Sequence, residues 1–169
     1  CKIYIWIFRG TPLMLQLWFF YFFFPFYFDI TLDAFTTAIV TYVLNYAAYF
    51  AEIYRGGINS IDKGQYEAAY ALGLSNRQTL FDIILPQTMK ATLPPIVNEA
   101  ITLVKDTALV SALSVVDLMK ATNSAVNRMT SLEPFFYAAV IYLIMTFILT
   151  LVAGRLEKYF SRYDAKEEW

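Results

Sequence analysis

The sequence contains no histidine and a single cysteine, Cys1. Without histidine there is no imidazole base for a catalytic triad, no imidazole metal ligand and no imidazole proton relay. One cysteine cannot form an internal disulfide or a cysteine cluster. The sequence also has no G-x-x-x-x-G-K-[ST] loop, which excludes that mode of ATP binding. Asp, Glu, Lys and Ser are the candidates left for enzyme chemistry.

Charged residues are scarce as well. They make up 16% of the chain, which has a net charge of −1 and no basic run, so a nucleic-acid-binding surface is not expected. Hydrophobic types reach 59%, against roughly 45–50% in soluble domains, and the mean hydropathy is +0.49. This composition predicts a chain that is surrounded by lipid over much of its length.

Apolar segments alternate with polar ones along the chain. Each apolar segment approaches the roughly 20 residues that cross a hydrocarbon core about 30 Å thick. We predict membrane spans at about 11–28, 34–54, 93–116 and 135–156. Thr11 suits an N-cap with Pro12 at the first helical position, and Pro25 is expected to end or kink the first span. The predicted fold class is an all-α, polytopic membrane helical bundle, with residues 1–169 forming one transmembrane domain.

Lysine and arginine are unevenly distributed among the polar segments. If the long loop 55–92 is cytoplasmic, about ten of the 13 basic residues lie on the cytoplasmic side. Only Lys120 and Arg128 lie on the other side, and Lys105 lies within the third predicted span. This bias follows the positive-inside rule, so we expect the loop and the C-terminus to face the cytoplasm.

The loop 55–92 is too long for a tight turn and has helical patterning. One short helix is expected around Glu67, with this carboxylate near the helix start, where it suits the positive end of the helix dipole. Gly73 breaks the pattern and can adopt a positive φ at little cost. A second short helix is expected over 76–85, stopped by Pro86. The loop is therefore predicted as two short helices that meet at a glycine corner.

The same loop contains a spaced motif. Its members are Glu67-Ala68-Ala69, then Gly73 after three residues, Ile83 after nine more, and Leu85-Pro86 after one more. This motif resembles the EAA loop of ABC-importer permeases, which has the pattern E-A-A, three residues, G, nine residues, I-x-L-P. The segments R-G-T-P-L at 9–13 and K-D-T-A-L at 105–109 look like those of permeases from polar amino-acid importers of the histidine/glutamine type.

The resemblance covers nearly the whole chain and implies the fold of a type I ABC-importer permease. That family usually has five spans in each subunit, whereas four are predicted here. We therefore expect the chain to be N-terminally truncated, with the first span preceding Cys1. The implied location is the bacterial inner membrane.

The resemblance also implies partners and roles. The EAA loop would dock as a coupling helix in a groove of a cytoplasmic ATPase subunit, with Ala68, Ala69 and Gly73 permitting close approach and Arg77 forming a charged contact. A second permease subunit, identical or paralogous, and an extracytoplasmic solute-binding protein complete the implied assembly in lipid. ATP and Mg²⁺ would bind the partner ATPase, so no cofactor, metal site or enzymatic activity is expected in this chain.

Polar residues in the third predicted span recur at helical spacing. One set is Glu99, Thr102 and Asp106, at i, i+3 and i+7, and the other is Asn98, Thr102 and Lys105, at i, i+4 and i+7. Both sets fall on one side of a helix. In the second span, Asn45 begins a further polar stripe with Tyr49 and Glu52.

The third-span stripe has two interpretations. With a helix start near Leu93, Lys105 would lie about 18 Å along the helix, near the middle of the bilayer. Ionisable groups at that depth usually face a bundle interior or water. The stripe, together with Asn45, is predicted to line the pathway of a hydrophilic solute. Alternatively, Lys105 pairs with Glu99, with Asp106 or with another span and only holds the bundle together.

The leading hypothesis is thus a permease subunit of an ATP-driven importer for polar amino acids. The same fold could serve another small polar solute, such as an opine, and the sequence does not separate the two. An ion channel or an intramembrane enzyme is a remote alternative, because a channel has no use for an EAA loop and an enzyme needs a nucleophile and a base at depth. The solute itself, and whether the permease pairs with itself or a paralogue, are not determined by the sequence.

Overall fold

A computed structural model describes residues 1–160 of the chain. The segment 161–169 lies outside the described residues, and with it Arg162 and Lys166, two of the charges used to predict the orientation. Within the described part every regular element is helical. The α-helices are α1 (Lys2–Gly10), α2 (Leu13–Trp18), α3 (Phe24–Phe28), α4 (Ala34–Ser60), α5 (Lys63–Ala71), α6 (Asn76–Gln78), α7 (Leu85–Asp106), α8 (Leu118–Met129) and α9 (Glu133–Phe160).

Tighter and wider helical turns join some of these helices. A π-helical turn, Phe19–Phe23, links α2 to α3, and a second one, Thr79–Ile84, links α6 to α7. A 3₁₀-helix, Thr107–Leu113, continues from the end of α7. The segment predicted as the third span therefore changes its helical winding at Asp106 instead of running as one α-helix.

The structure differs from the predicted first span at its start and at Pro25. Thr11 is not an N-cap, because its hydroxyl donates to the Ile7 carbonyl at 2.8 Å and so completes the end of α1. The helix begins one residue later than predicted, at Leu13, with Pro12 extended in front of it. Pro25 does not end the helix, which continues to Phe28 beyond the π-helical turn.

Two helices are long and apolar enough to cross a membrane, judged by length and composition over the described residues: α4, and α9 over Glu133–Lys158. The pair Lys2–Gly10 and Leu13–Phe28 also passes this test, although the two segments are bent by 105° at their junction. Counted as one broken span, the pair would be a third. The helix α4 starts at Ala34 as predicted and extends six residues beyond 54, to Ser60, into the predicted loop.

The start of α7 differs from the prediction. We expected a short helix stopped by Pro86 and a new helix from about Leu93, but α7 runs from Leu85 with Pro94 and Pro95 in its interior. Prolines are tolerated within membrane helices when neighbouring groups compensate for the lost hydrogen bonds. From Leu85, Lys105 lies about 30 Å along the helix instead of about 18 Å, so the helix start from which its depth was reckoned is not the one observed, and its position near the middle of the bilayer stays a prediction.

The chain divides into two compact units, described separately here. Unit 1 consists of Cys1–Tyr49 and Ala100–Thr150, and unit 2 of Phe50–Glu99 and the described part of Leu151–Trp169. The core of unit 1 is formed by Leu17, Ala38, Val110 and Leu113. The start of α4 is capped by Asp33, whose Oδ1 accepts the Thr36 N–H at 3.0 Å. This hydrogen bond lowers the pKa of Asp33.

Candidate functional site

The predicted coupling loop lies in unit 2, where α4 extends past Arg55 and packs on the first half of α7. The contact is close at Gly57: a Cβ there would lie 2.3 Å from Thr92 Cγ2 and 3.2 Å from Thr88 Cγ2. Both threonines are about 1% exposed. Since carbon atoms normally approach to about 3.5–4.0 Å, only glycine fits at this crossing of the two helices.

Helix α5 carries the E-A-A residues and is fixed by a cap at its start and by a contact with α7. Asp62 caps its start, because Asp62 Oδ1 accepts the Gly64 N–H at 2.6 Å. The Gln87 amide on α7 donates to Gln65 Oε1 at 3.2 Å. Ala69 is 1% exposed, so its side chain packs inside the loop itself. Its implied role, as a small residue that permits close approach of a partner, stays a prediction.

The spacing from Ala69 to Gly73 has a local geometric reason. The Leu74 N–H donates to the Ala69 carbonyl at 3.1 Å, and the Gly73 N–H donates to the Tyr70 carbonyl at 3.0 Å. These two bonds define a Schellman motif, in which the residue after the C-cap adopts the left-handed conformation. Gly73 has φ +71°, which confirms the predicted glycine corner.

The second arm of the corner begins with a capping box. Ser75 Oγ accepts the Gln78 N–H at 3.4 Å, and the Ser75 N–H donates to Gln78 Oε1 at 3.0 Å. The two reciprocal bonds satisfy amides that a helix start leaves unpaired. This helical arm then passes through the Thr79–Ile84 π-helical turn into α7 without a break.

The predicted coupling residues differ in exposure. Glu67, Ala68, Gly73, Arg77 and Pro86 are exposed, whereas Ile83 and Leu85 are half-buried. Glu67 lies in the middle of α5, since Asp62 sets the helix start at Lys63. Its predicted position near the positive end of the helix dipole is therefore wrong.

Two large apolar side chains of the corner are strongly exposed. Tyr70 is 86% and Leu72 is 78% exposed in the described chain. Both lie at the C-terminal end of α5, next to Gly73. Exposed apolar groups of this size, rimmed by polar residues, are typical of a protein contact.

Close to the loop, Glu52 and Arg55 form an ion pair one helical turn apart. The Arg55 Nε lies 3.0 Å from Glu52 Oε2. The Arg55 side chain is 62% exposed, so the pair contributes little to stability.

The polar residues of the third predicted span are placed differently from one another. Asn98 and Lys105 are exposed, while Glu99, Thr102 and Asp106 are half-buried. Within unit 1, Tyr46 Oη donates to Asp106 Oδ2 at 2.8 Å, and Tyr42 Oη donates to the Asp106 carbonyl oxygen at 2.8 Å. Asp106 is thus held by two tyrosines of α4, and among the described residues it forms no ion pair with Lys105.

Asn45 belongs to an interior hydrogen-bond network of unit 1. Its Nδ2 donates to Gln16 Oε1 at 2.9 Å and to the Phe8 carbonyl at 3.1 Å. Gln16 in turn donates to the Phe8 carbonyl and to Thr11. Asn45 is only 4% exposed, so its amide joins α1, α2 and α4, and its predicted place on a solute pathway stays a prediction.

Comparison with known proteins identifies the family. The family of binding-protein-dependent transport system inner membrane components matches residues 2–162. The chain belongs to this family. The predicted resemblance to ABC-importer permeases and the predicted fold class, an all-helical membrane bundle, are thereby confirmed.

Individual permeases are similar over nearly the whole chain. The arginine transport system permease protein ArtQ of Bacillus subtilis is 42% identical, over 97% of this chain and 81% of that protein. The glutamine transport system permease protein GlnP of Escherichia coli is 40% identical, over 92% of this chain and 72% of that protein. A chain in the crystal structure of an amino acid ABC transporter with histidines superposes with a TM-score of 0.88 and 34% identity, over 94% of this chain and 74% of that one.

Several contacts that hold the loop and the helices of this permease were missed by the sequence analysis. The capping residues Asp62 and Ser75 carry a local signal, because each precedes a glutamine by three residues. Gly57 and the tyrosines Tyr42 and Tyr46 carry none, since their partners are distant in sequence. A small residue or a tyrosine in an apolar helix does not reveal which neighbour it contacts.

Proposed function

We propose that this permease is the membrane subunit of an ATP-driven ABC importer for polar amino acids. In this proposal it forms the translocation pathway with a second permease subunit and receives its solute from an extracytoplasmic binding protein. The coupling loop and the C-terminus face the cytoplasm, where a partner ATPase binds ATP and Mg²⁺. The names of the similar permeases, which transport arginine and glutamine, support the amino-acid class.

The observation that carries the coupling role is the construction of the loop. Two caps and a Schellman motif fix α5 and α6 at a corner whose exposed residues include Glu67, Ala68, Tyr70 and Leu72. A preorganised corner of this kind loses little conformational entropy when it binds a partner. Movement of a docked ATPase would then act on α4 and α7, because the loop continues from one and leads into the other.

The pathway role is proposed for the polar residues of the third predicted span, above all Lys105 and Asp106. The ammonium and carboxylate of an amino acid need groups of opposite sign, and these two side chains supply both. Asn98, Glu99, Thr102 and Asn45 remain further candidates for the pathway.

Cysteine crosslinking tests the coupling role. Cys1 is the single cysteine of the 169-residue sequence, so a Cys1→Ser background leaves the introduced thiol as the single one in this sequence. In the assembled transporter we expect Ala68→Cys to crosslink to the ATPase subunit, because Ala68 is exposed on α5. The matched control is Ala121→Cys on α8, which is also exposed but predicted to lie on the opposite side of the membrane. Failure of the Ala68 thiol to capture the ATPase would exclude the docking of this loop.

The substrate class is tested separately by uptake. Competition of arginine, glutamine, cystine and an opine for transport by the complete system identifies the solute. Inhibition by polar amino acids supports the proposal, whereas inhibition by the opine alone would favour the alternative solute.

A further inference from the structure

Two tyrosines on one side of α4 contact the same residue of α7. Tyr42 and Tyr46 are four positions apart, a spacing that places side chains next to each other on a helix. Tyr46 Oη donates to Asp106 Oδ2, and Tyr42 Oη donates to the Asp106 main-chain oxygen, both at 2.8 Å. All three residues belong to unit 1.

Asp106 lies where the winding of the helix changes. It is the last residue of α7, and the 3₁₀-helix begins at Thr107. The Tyr42 bond holds the main chain at this junction, while the Tyr46 bond fixes the side chain. Tyr46 is only 7% exposed, and a hydrogen bond shielded from water is stronger than one at the surface. The carboxylate is therefore fixed in position and direction.

The hydrogen bond from Tyr46 leaves acceptor capacity on the Asp106 carboxylate. An ionised carboxylate offers two oxygens and about four acceptor sites, and Tyr46 uses one of them on Oδ2. Among the described residues no lysine or arginine forms an ion pair with Asp106. Lys105 precedes it directly, and adjacent residues on a helix point in different directions. The second oxygen, Oδ1, is thus suited to accept hydrogen bonds from a cationic ligand group.

We propose that Tyr46 is a positioning residue, which orients the Asp106 carboxylate so that Oδ1 receives the ammonium group of the transported amino acid. This inference rests on the proposed pathway role of Asp106 and extends it to a residue that does not itself touch the solute. It predicts that the Tyr46 hydroxyl affects solute affinity only while Asp106 is present.

The experiment measures equilibrium binding of radiolabelled L-arginine and L-glutamine to the purified, fully assembled transporter complex without binding protein. In Tyr46→Phe the ring is retained and the hydrogen bond to a charged acceptor is lost, so we expect affinity to fall about tenfold. Tyr49→Phe is the matched control on the same helix. Its ring lies 5.3 Å from the Arg9 guanidinium, a contact that phenylalanine preserves, and we expect its affinity to equal that of the wild type.

A double-mutant cycle separates positioning from a general structural effect. Asp106→Asn should weaken binding, and adding Tyr46→Phe to it should change the affinity no further. Additive losses in the double variant would overturn the inference, because Tyr46 would then act independently of Asp106. Thermal unfolding of each complex verifies that Tyr46→Phe is folded. Tyr42→Phe serves as a second variant. It leaves the hydrogen bond to the Asp106 side chain intact, so we expect a smaller loss of solute affinity.

The outcomes distinguish this inference from the proposal on which it rests. Wild-type affinity in Tyr46→Phe, together with weak binding in Asp106→Asn, rejects the positioning role and leaves the pathway role standing. Wild-type affinity in Asp106→Asn rejects both roles. The crosslink from Ala68 to the ATPase is independent of either result.

Discussion

Gly57 provides the sharpest test of how the coupling loop is held. In Gly57→Ala the new methyl carbon would lie 2.3 Å from Thr92 Cγ2 and 3.2 Å from Thr88 Cγ2. Thr92 is about 1% exposed, so its methyl group has no free space to enter. The two helices must therefore separate locally, and overpacking of this kind typically costs about 1–3 kcal/mol.

The neighbouring glycine supplies a matched control. Gly56 lies on the same helix, and a Cβ there would meet nothing within 4 Å. Replacing an unconstrained helical glycine by alanine stabilises by about 0.8–1 kcal/mol. Gly57→Ala gains the same helix propensity but also introduces the steric overlap with Thr92 and Thr88. We therefore expect it to destabilise the complex by up to about 2 kcal/mol, while Gly56→Ala stabilises it.

A compensating substitution identifies the atoms responsible. Thr92→Ser removes Cγ2 and keeps the hydroxyl, which donates to the Met89 carbonyl at 3.2 Å. The double variant Gly57→Ala/Thr92→Ser should recover most of the lost stability. The measurement is thermal unfolding of the purified complex, with an expected shift of about 2–4 °C for each kcal/mol. A Gly57→Ala complex that melts at or above the Gly56→Ala complex would refute the close helix crossing.

Three further predictions concern single hydrogen bonds and one backbone angle. Gly73→Ala should destabilise the corner by about 1–2 kcal/mol, because Gly73 has φ +71°. Gly73→Asn should destabilise it less. Hydrogen exchange of the loop amides measures both effects. Asp62→Ala should cost about 1 kcal/mol through the lost cap, seen as faster exchange of the Gly64 amide. Thr37→Val should raise the melting temperature, because Thr37 Oγ1 is buried without a partner among the described residues. Thr41→Val should not raise the melting temperature, because the Thr41 hydroxyl donates to the Thr37 carbonyl at 2.7 Å.

The corner of the coupling loop could be predicted because its determinants are local. A glycine that ends a helical pattern signals a left-handed residue, and the two Schellman bonds around Gly73 span no more than five positions. The caps at Asp62 and Ser75 could have been found by the same rules. With them, the start of α5 would have been placed at Lys63, and Glu67 would have been recognised as a mid-helix residue.

The contacts that fix the helices against each other could not be predicted. Gly57 meets Thr92 across 35 positions of sequence, and Tyr46 meets Asp106 across 60. Neither a glycine nor a tyrosine specifies its partner. Helical spacing can therefore predict which residues share one side of a helix, but not which residues of another helix pack against that side. For this reason Lys105 was considered as a partner for Asp106, although tyrosines of another helix occupy that place.

Helices continue past Pro25 and Pro86 for one shared physical reason. Pro25 was expected to end or kink a helix and Pro86 to stop one, since a proline ring clashes with the carbonyl four residues before it and lacks an N–H. In both places a π-helical turn comes first: Phe24 donates to the Phe19 carbonyl before Pro25, and Leu85 donates to the Leu80 carbonyl before Pro86. These bonds span five residues instead of four, so the α-helical ladder is already interrupted where the proline enters. The helix can then continue past the proline, which explains why neither proline ends its helix and why the coupling loop leads directly into α7.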